Sequence, residues 1–206
     1  YLPLADAMIC AGHLRGEVLK QAPGLKIIVC YGAGYEKIDL KAASARRIPV
    51  ANIPDSTAQA TAELAMGLML SVRRKIARLD RDMRGSEHLC GLFEMGRDMG
   101  NTLEGARLGI IGMGHIGRKL KDMARAMGMK VRYYNRRPLP PALSALAAYR
   151  PLEELLAESD VVSIHCPLNR DSASLINAER LSLMKPGAVL INTARGDVVD
   201  SLALRR

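Results

Sequence analysis

Three glycines, Gly112, Gly114 and Gly117, stand directly behind the apolar run Leu108–Ile111 in the stretch GIIGMGHIGRKL. Glycines at this spacing let a backbone turn tightly and approach a pyrophosphate closely, and the same spacing also serves a plain tight turn. Context separates the two. A pyrophosphate site needs a strand before the glycines, a helix after them, and a ribose-reading position at the end of the next strand. RLGIIGMG reads as the first strand, HIGRKLKDMARAM as the helix and MKVRYYN as the second strand. The helix that begins at His115 and Ile116 presents its N–H end, the positive end of the helix dipole, to this turn. The context therefore points to a dinucleotide. Gly112 makes the turn, Gly114 admits the phosphates and Gly117 lets helix and strand pack.

The ribose-reading position is Asn135, eighteen residues after Gly117, and it is followed by Arg136 and Arg137. A site for NAD favours a carboxylate here, to accept from the ribose 2′-OH, and that carboxylate would repel a 2′-phosphate. Guanidinium groups bind such a phosphate through charge-assisted hydrogen bonds. A solvated loop with two basic residues is the plainer alternative. The expectation is NADP(H) in preference, with NAD(H) possible.

Elements of the right kind surround these residues. LKIIVC (25–30) and IPVANIP (48–54) read as strands, with a helix capped by Asp39 between them. A long helix opens near Ser56–Gln59 and runs without interruption to Gly85; its first part is apolar nearly all round and its last part charged. A polar, irregular stretch covers 86–103. After the glycine unit come the helix PLEELLAES, the strand DVVSIHCP, the helix NAERLSLM and the strand AVLINTARG. Alternating strands and helices imply a doubly wound α/β fold with a parallel sheet.

Composition narrows the function classes. The 206 residues are 49% hydrophobic, enough for one large or two small domains with real cores. No window approaches the ~18 apolar residues of a membrane span, and YLPLADAMIC has neither a basic leader nor a long apolar stretch, so a cytoplasmic protein without a membrane partner is expected. The net charge of +9 invites a nucleic-acid reading. However, the basic residues are scattered in pairs, with one phenylalanine and no tryptophan to stack bases, so no nucleic-acid partner is expected. Cys10, Cys30, Cys90 and Cys166 form no zinc spacing, and no metal site is expected.

Across nearly all of its length the chain resembles the D-isomer-specific 2-hydroxyacid dehydrogenases. The resemblance is carried by GLKIIVCYGAGYEKIDLKAASARRIPVANIPDSTAQATAELA, by the glycine fingerprint, and by SDVVSIHCPLNRDSASLINAERLSLMKPGAVLINTARGDVVD. The residues Asn135–Arg137 are most similar to those of the NADPH-preferring glyoxylate and hydroxypyruvate reductase branch. The resemblance implies a partial, flavodoxin-like substrate domain over 1–54 and a Rossmann domain over 55–206, incomplete at its C-terminus. It also implies a homodimer acting on a small 2-oxo acid.

The resemblance assigns roles as well. Arg195 matches the arginine that binds the substrate carboxylate and acts in catalysis, and its fork suits that group. Ala33 and Gly34 match a loop whose backbone N–H groups hold the same carboxylate. His165, Cys166 and Pro167, with Thr193 and Ala194, match loops at strand ends that flank the cofactor. His165 lines the cofactor in that pattern and is not the proton donor. The glutamate and histidine that follow the arginine in the family are absent from 196–206. The chain thus reads as the middle of a dehydrogenase, expected to be weak or inactive alone. Two other readings stay open: a dehydrogenase for another 2-oxo acid, and a non-catalytic, dinucleotide-sensing protein of the corepressor type.

Overall fold

The computed structural model describes residues 2–85, 94–140, 142 and 147–205. Residues 86–93 of the irregular stretch, with His88 and Cys90, lie outside them. The chain divides into two compact units, Tyr1–Gln59 and Ala60–Arg206.

The first unit is a three-stranded parallel sheet of β1 (Ala7–Cys10), β2 (Ile27–Cys30) and β3 (Val50–Ala51), in that order. Helix α1 (Gly16–Lys20) connects β1 to β2, and α2 (Leu40–Ala45) connects β2 to β3. Leu19, Leu25, Ile28, Ala43 and Ile48 form the core between sheet and helices. Asp39 caps α2 by accepting the Ala42 N–H at 3.0 Å. The third strand is shorter than the expected run over 48–54. Pro49 has no N–H to give the ladder, and Asn52 turns its side chain away to donate to the Ala33 carbonyl at 2.8 Å.

The second unit opens with helices and continues as a five-stranded parallel sheet in the order β6-β5-β4-β7-β8. These strands are β4 (Arg107–Ile111), β5 (Lys130–Tyr134), β6 (Ala148–Tyr149), β7 (Val161–Ile164) and β8 (Val189–Asn192). Helix α5 (His115–Ala126) links β4 to β5, α6 (Leu152–Glu158) links β6 to β7, and α7 (Ala178–Ser182) precedes β8. The central strand β4 is buried on both faces, as a doubly wound sheet requires. Leu108 and Ile110 meet Leu120 and Ala124 of α5 in one core, while Ile111 joins Leu152, Leu155 and Leu156 of α6 in the other. Fully burying one such leucine or isoleucine is worth about 1.5–3 kcal/mol. Gly109 lets α6 approach: a Cβ there would stand 2.5 Å from Leu155 Cδ2. The chain runs outward from β4 through β5 to β6 and then returns to β7 on the other side. That reversal opens a crevice at the strand C-termini, where ligands bind in such sheets.

The single helix expected up to Gly85 is two helices, α3 (Ala58–Arg73) and α4 (Ile76–Arg84). Lys75 takes a left-handed φ of 56° between them. The carbonyl of Arg73 accepts the Asn101 N–H at 2.8 Å, and the Gly100 backbone lies tight against Arg73 and Arg74. Tertiary contact therefore ends α3. Buried Asp98 anchors the neighbouring segment, accepting from Arg97, from the Glu94 N–H and from Arg78 of α4. Along α3, Ala62, Ala65 and Met69 are buried, whereas Leu64, Leu68 and Val72 are exposed, so the helix is not enclosed all round. No helix among the described residues is long and apolar enough to cross a membrane.

Candidate functional site

The three glycines differ in what they admit. Gly112, just past β4, has a left-handed φ of 99°, and a Cβ there would stand 2.6 Å from the Cys166 nitrogen. At Gly117, in the first turn of α5, a Cβ would stand 2.4 Å from the Gly112 carbonyl oxygen. The protein's own packing demands glycine at both. At Gly114 a Cβ would meet nothing within 4 Å. Gly114 caps α5 without a side chain, and no acidic residue occupies the first helical turn. The N–H end of this twelve-residue helix, at His115 and Ile116, is thus suited to an anion rather than to a carboxylate of the chain itself.

The end of β5 closes over the same turn. Gly112 N–H donates to the Tyr134 carbonyl at 3.0 Å, and Met113 N–H donates to Asn135 Oδ1 at 2.8 Å. Asn135 therefore holds the glycine turn from the ribose-reading position. Arg136 and Arg137 follow, both exposed; Arg136 pairs with Asp171 at 2.7 Å. The glycine turn, Asn135–Arg137 and His165–Pro167 line one cavity of about 810 Å³, within the ~300–1,000 Å³ usual for small-molecule and cofactor sites. A cradle with open space at Gly114, a helix N-terminus beside it and guanidinium groups at its rim fits a dinucleotide.

The opposite wall comes from the end of β7 and the loop after it. His165 N–H donates to the Ile111 carbonyl at 2.8 Å, which fixes the two strand ends together. Its ring lies between two hydroxyls, with Nε2 2.9 Å from Ser163 Oγ and Nδ1 3.4 Å from Thr193 Oγ1. Burial pushes its pKa down to about 4, so the ring is neutral at neutral pH. Burial likewise pushes the Cys166 thiol up. Ser172 donates its hydroxyl to the Pro167 carbonyl at 2.6 Å and accepts the Asn169 N–H at 2.8 Å, which folds the 167–172 loop back on itself.

Beyond β8 the chain turns under the control of Asn192. Its Oδ1 accepts the Ala194 N–H at 3.0 Å, and its Nδ2 donates to the Arg195 carbonyl at 2.8 Å. Arg195 is exposed at the end of this braced turn. Thr193, Ala194 and Arg195 all lie beyond the cavity lining, Thr193 reaching it only through His165. In the first unit, Ala33 and Gly34 lie on an exposed loop after β2, tied at Ala33 by Asn52. Ser163, Asp171 and Asn192 are site residues that sequence reasoning did not single out. Only Asn192 had a readable signal, as an asparagine opening the turn in NTARG.

Comparison with known proteins agrees with this geometry. The family model "D-isomer specific 2-hydroxyacid dehydrogenase, NAD binding domain" matches residues 66–206. The glyoxylate reductase of Thermococcus litoralis is 44% identical over 193 residues, covering 91% of this chain and 58% of that enzyme. The chain thus spans well under two thirds of the length of that relative. Among solved structures, the D-lactate dehydrogenase of Aquifex aeolicus, complexed with NAD and lactic acid, aligns with a TM-score of 0.89 and 33% identity. That alignment covers 98% of this chain and 60% of the other. An acyclic imino acid reductase in complex with NADPH and D-arginine aligns with a TM-score of 0.87 and 31% identity, covering 98% and 64%.

Proposed function

The chain belongs to the D-isomer-specific 2-hydroxyacid dehydrogenase family, and on that premise we propose that it takes NADP(H) in preference to NAD(H) and serves reduction of glyoxylate or hydroxypyruvate to the 2-hydroxy acid. The observation that carries the cofactor preference is the end of β5. There Asn135 and two arginines stand on the rim of the cavity, where a site for NAD favours a carboxylate. The similarity to a glyoxylate reductase at 44% identity supports the substrate class.

When bound, the nicotinamide supplies the hydride. The chain's own residues bind and orient. The Gly112–Gly117 turn and the α5 N-terminus hold the pyrophosphate, and Arg136 and Arg137 hold the 2′-phosphate. Arg195 offers its planar fork to a carboxylate, and the braced Asn192 turn limits the freedom that must be lost on binding. The Ala33–Gly34 loop supplies backbone N–H groups to the same class of anion. His165 fills the cofactor wall as a neutral ring; with its pKa pushed down to about 4 it carries no acidic proton at neutral pH and is not the proton donor.

The exposed leucines Leu64 and Leu68, with Val72, recur at every fourth position on α3 and form a stripe along one helix face. This stripe supports a homodimer. The free thiols of Cys10, Cys30 and Cys166 suit the reducing setting of the cytoplasm.

Titration of the purified protein with NADPH and with NADH, followed by nicotinamide fluorescence, tests the cofactor preference. Tighter binding of NADPH is expected, and equal affinities overturn it. Glyoxylate-dependent NADPH oxidation by the full-length protein tests the reaction, and its absence alongside intact NADPH binding overturns the reductase reading.

A further inference from the structure

Cys10 and Cys30 are the last residues of β1 and β2, and they are direct partners in the parallel register. Register partners place their side chains on the same face of a sheet, and both cysteines pack on the core side, against the cluster that holds Leu19 and Ile28. Neighbouring strands lie about 4.7–4.9 Å apart. That spacing falls inside the ~4.4–6.8 Å between Cα atoms that a disulfide spans. Both residues are free thiols. The pair closes the two strands, and one further ladder bond, Tyr31 N–H to the Cys10 carbonyl at 2.9 Å, precedes the rest of the 31–38 loop.

We propose that Cys10 and Cys30 form a reversible redox dithiol, closed to an intramolecular disulfide by a low-molecular-weight disulfide of the glutathione class. The two thiols are not equivalent. Cys10 is half-buried, its Sγ 3.2 Å from the Gly12 carbonyl, while Cys30 is buried. Burial, with Cys10 and Glu36 nearby, also pushes the Cys30 thiol up, so it is the poorer first nucleophile. Cys10 therefore attacks first. Its thiolate displaces one glutathione thiolate and becomes a mixed disulfide. The Cys30 thiolate then attacks the Cys10 sulfur, forming the intramolecular bond and displacing the second glutathione thiolate. The two protein thiols lose two electrons and two protons, and glutathione disulfide is reduced to two glutathione thiols.

The bond would join the roots of β1 and β2 immediately before Tyr31, where the loop carrying Ala33 and Gly34 begins. Oxidation then stiffens that loop, whatever the loop binds.

The experiment incubates the full chain with glutathione disulfide, quenches in acid, alkylates remaining thiols and maps peptides by mass spectrometry. A peptide pair joining residues 10 and 30, with both thiols recovered after dithiothreitol, is the expected result. In Cys30→Ser, Cys10 should stop at the glutathione adduct; in Cys10→Ser, Cys30 should stay alkylatable. Hydrogen exchange over residues 31–38 should slow in the oxidised chain. Full alkylation of Cys10 and Cys30 after oxidation, or cross-links running only to Cys90, Cys166 or a second chain, overturns the proposal. Cofactor titration takes no part in this test, so its outcome is independent of the functional reading.

Discussion

Asn135 Oδ1 accepts the Met113 N–H at 2.8 Å, so the residue just past β5 also holds the glycine turn just past β4. Two requirements meet at this position: an acceptor for the turn, and no negative charge beside Arg136 and Arg137. Asn135→Asp keeps the acceptor and adds the charge. NADPH affinity should fall by roughly 1–2 kcal/mol, a factor of about 5–30, while NADH affinity holds or rises. Asn135→Ala loses the tether and should weaken both cofactors alike. Paired titrations of the two variants distinguish charge from scaffold, and identical behaviour of the two would sink the charge argument.

Arg136 is shared between its ion pair with Asp171 and the cavity rim. Both partners are exposed, so the pair itself is worth little, about 0.2–1 kcal/mol. Removing the competing carboxylate in Asp171→Ala should therefore tighten NADPH by a comparable amount and leave NADH unchanged. Arg137→Ala should act in the opposite direction, losing up to about 1.5–3 kcal/mol of phosphate binding, less to the extent that water screens it. Calorimetric titration gives both values, and a gain for NADH equal to that for NADPH in Asp171→Ala would rule out competition for Arg136.

The glycines allow a sharper separation of folding from binding. Gly117→Ala drives a methyl against the Gly112 carbonyl, and Gly112→Ala drives one into the His165–Cys166 backbone at a left-handed φ. Both should lower Tm markedly. Gly114→Ala meets no protein atom within 4 Å, so Tm should stay near wild type while cofactor affinity drops. Thermal melts with and without NADPH decide this. A large loss of Tm in Gly114→Ala would show that its open space is structural.

What could be read from the sequence follows the strength of local signals. Strands β4, β7 and β8 are short, largely apolar runs, β5 alternates as KVRYY before Asn135, and the glycine turn has a fixed spacing, so all were legible. Strand β1 has only AMIC to announce it, and α1 buries a single leucine, Leu19; neither carries enough period to be seen. Two-residue β6 is an edge strand defined by its pairing with β5 alone. The break at Lys75 has no glycine or proline to mark it, because its cause is a hydrogen bond from Asn101. The site divides in the same way. Asn135–Arg137 could be placed by counting from Gly117, but the approach of Asp171 to Arg136 across thirty-five positions is set by the folded sheet.

His165 provides a pH test of the cavity wall. Its pKa is about 4 in the folded protein, pushed down by burial, against 6.5 for the ordinary ring. Between those values the unfolded chain binds the extra proton and the folded chain does not. Stability from keeping the ring neutral is fully present above about pH 6.5, declines as pH falls towards 4, and does not return below it. A shift of this size corresponds to on the order of 3 kcal/mol, reduced by whatever water reaches the ring. His165→Gln has no titrating ring and keeps groups able to hydrogen-bond Ser163 and Thr193. Its stability should therefore fall less steeply between pH 6.5 and 4 than that of wild type. Urea unfolding at half-unit pH intervals measures both slopes. The buried carboxylates contribute equally to the two proteins and cancel in the difference. Parallel curves would mean that His165 is solvated well enough to protonate in place, and the neutral wall of the cofactor cavity would have to be abandoned.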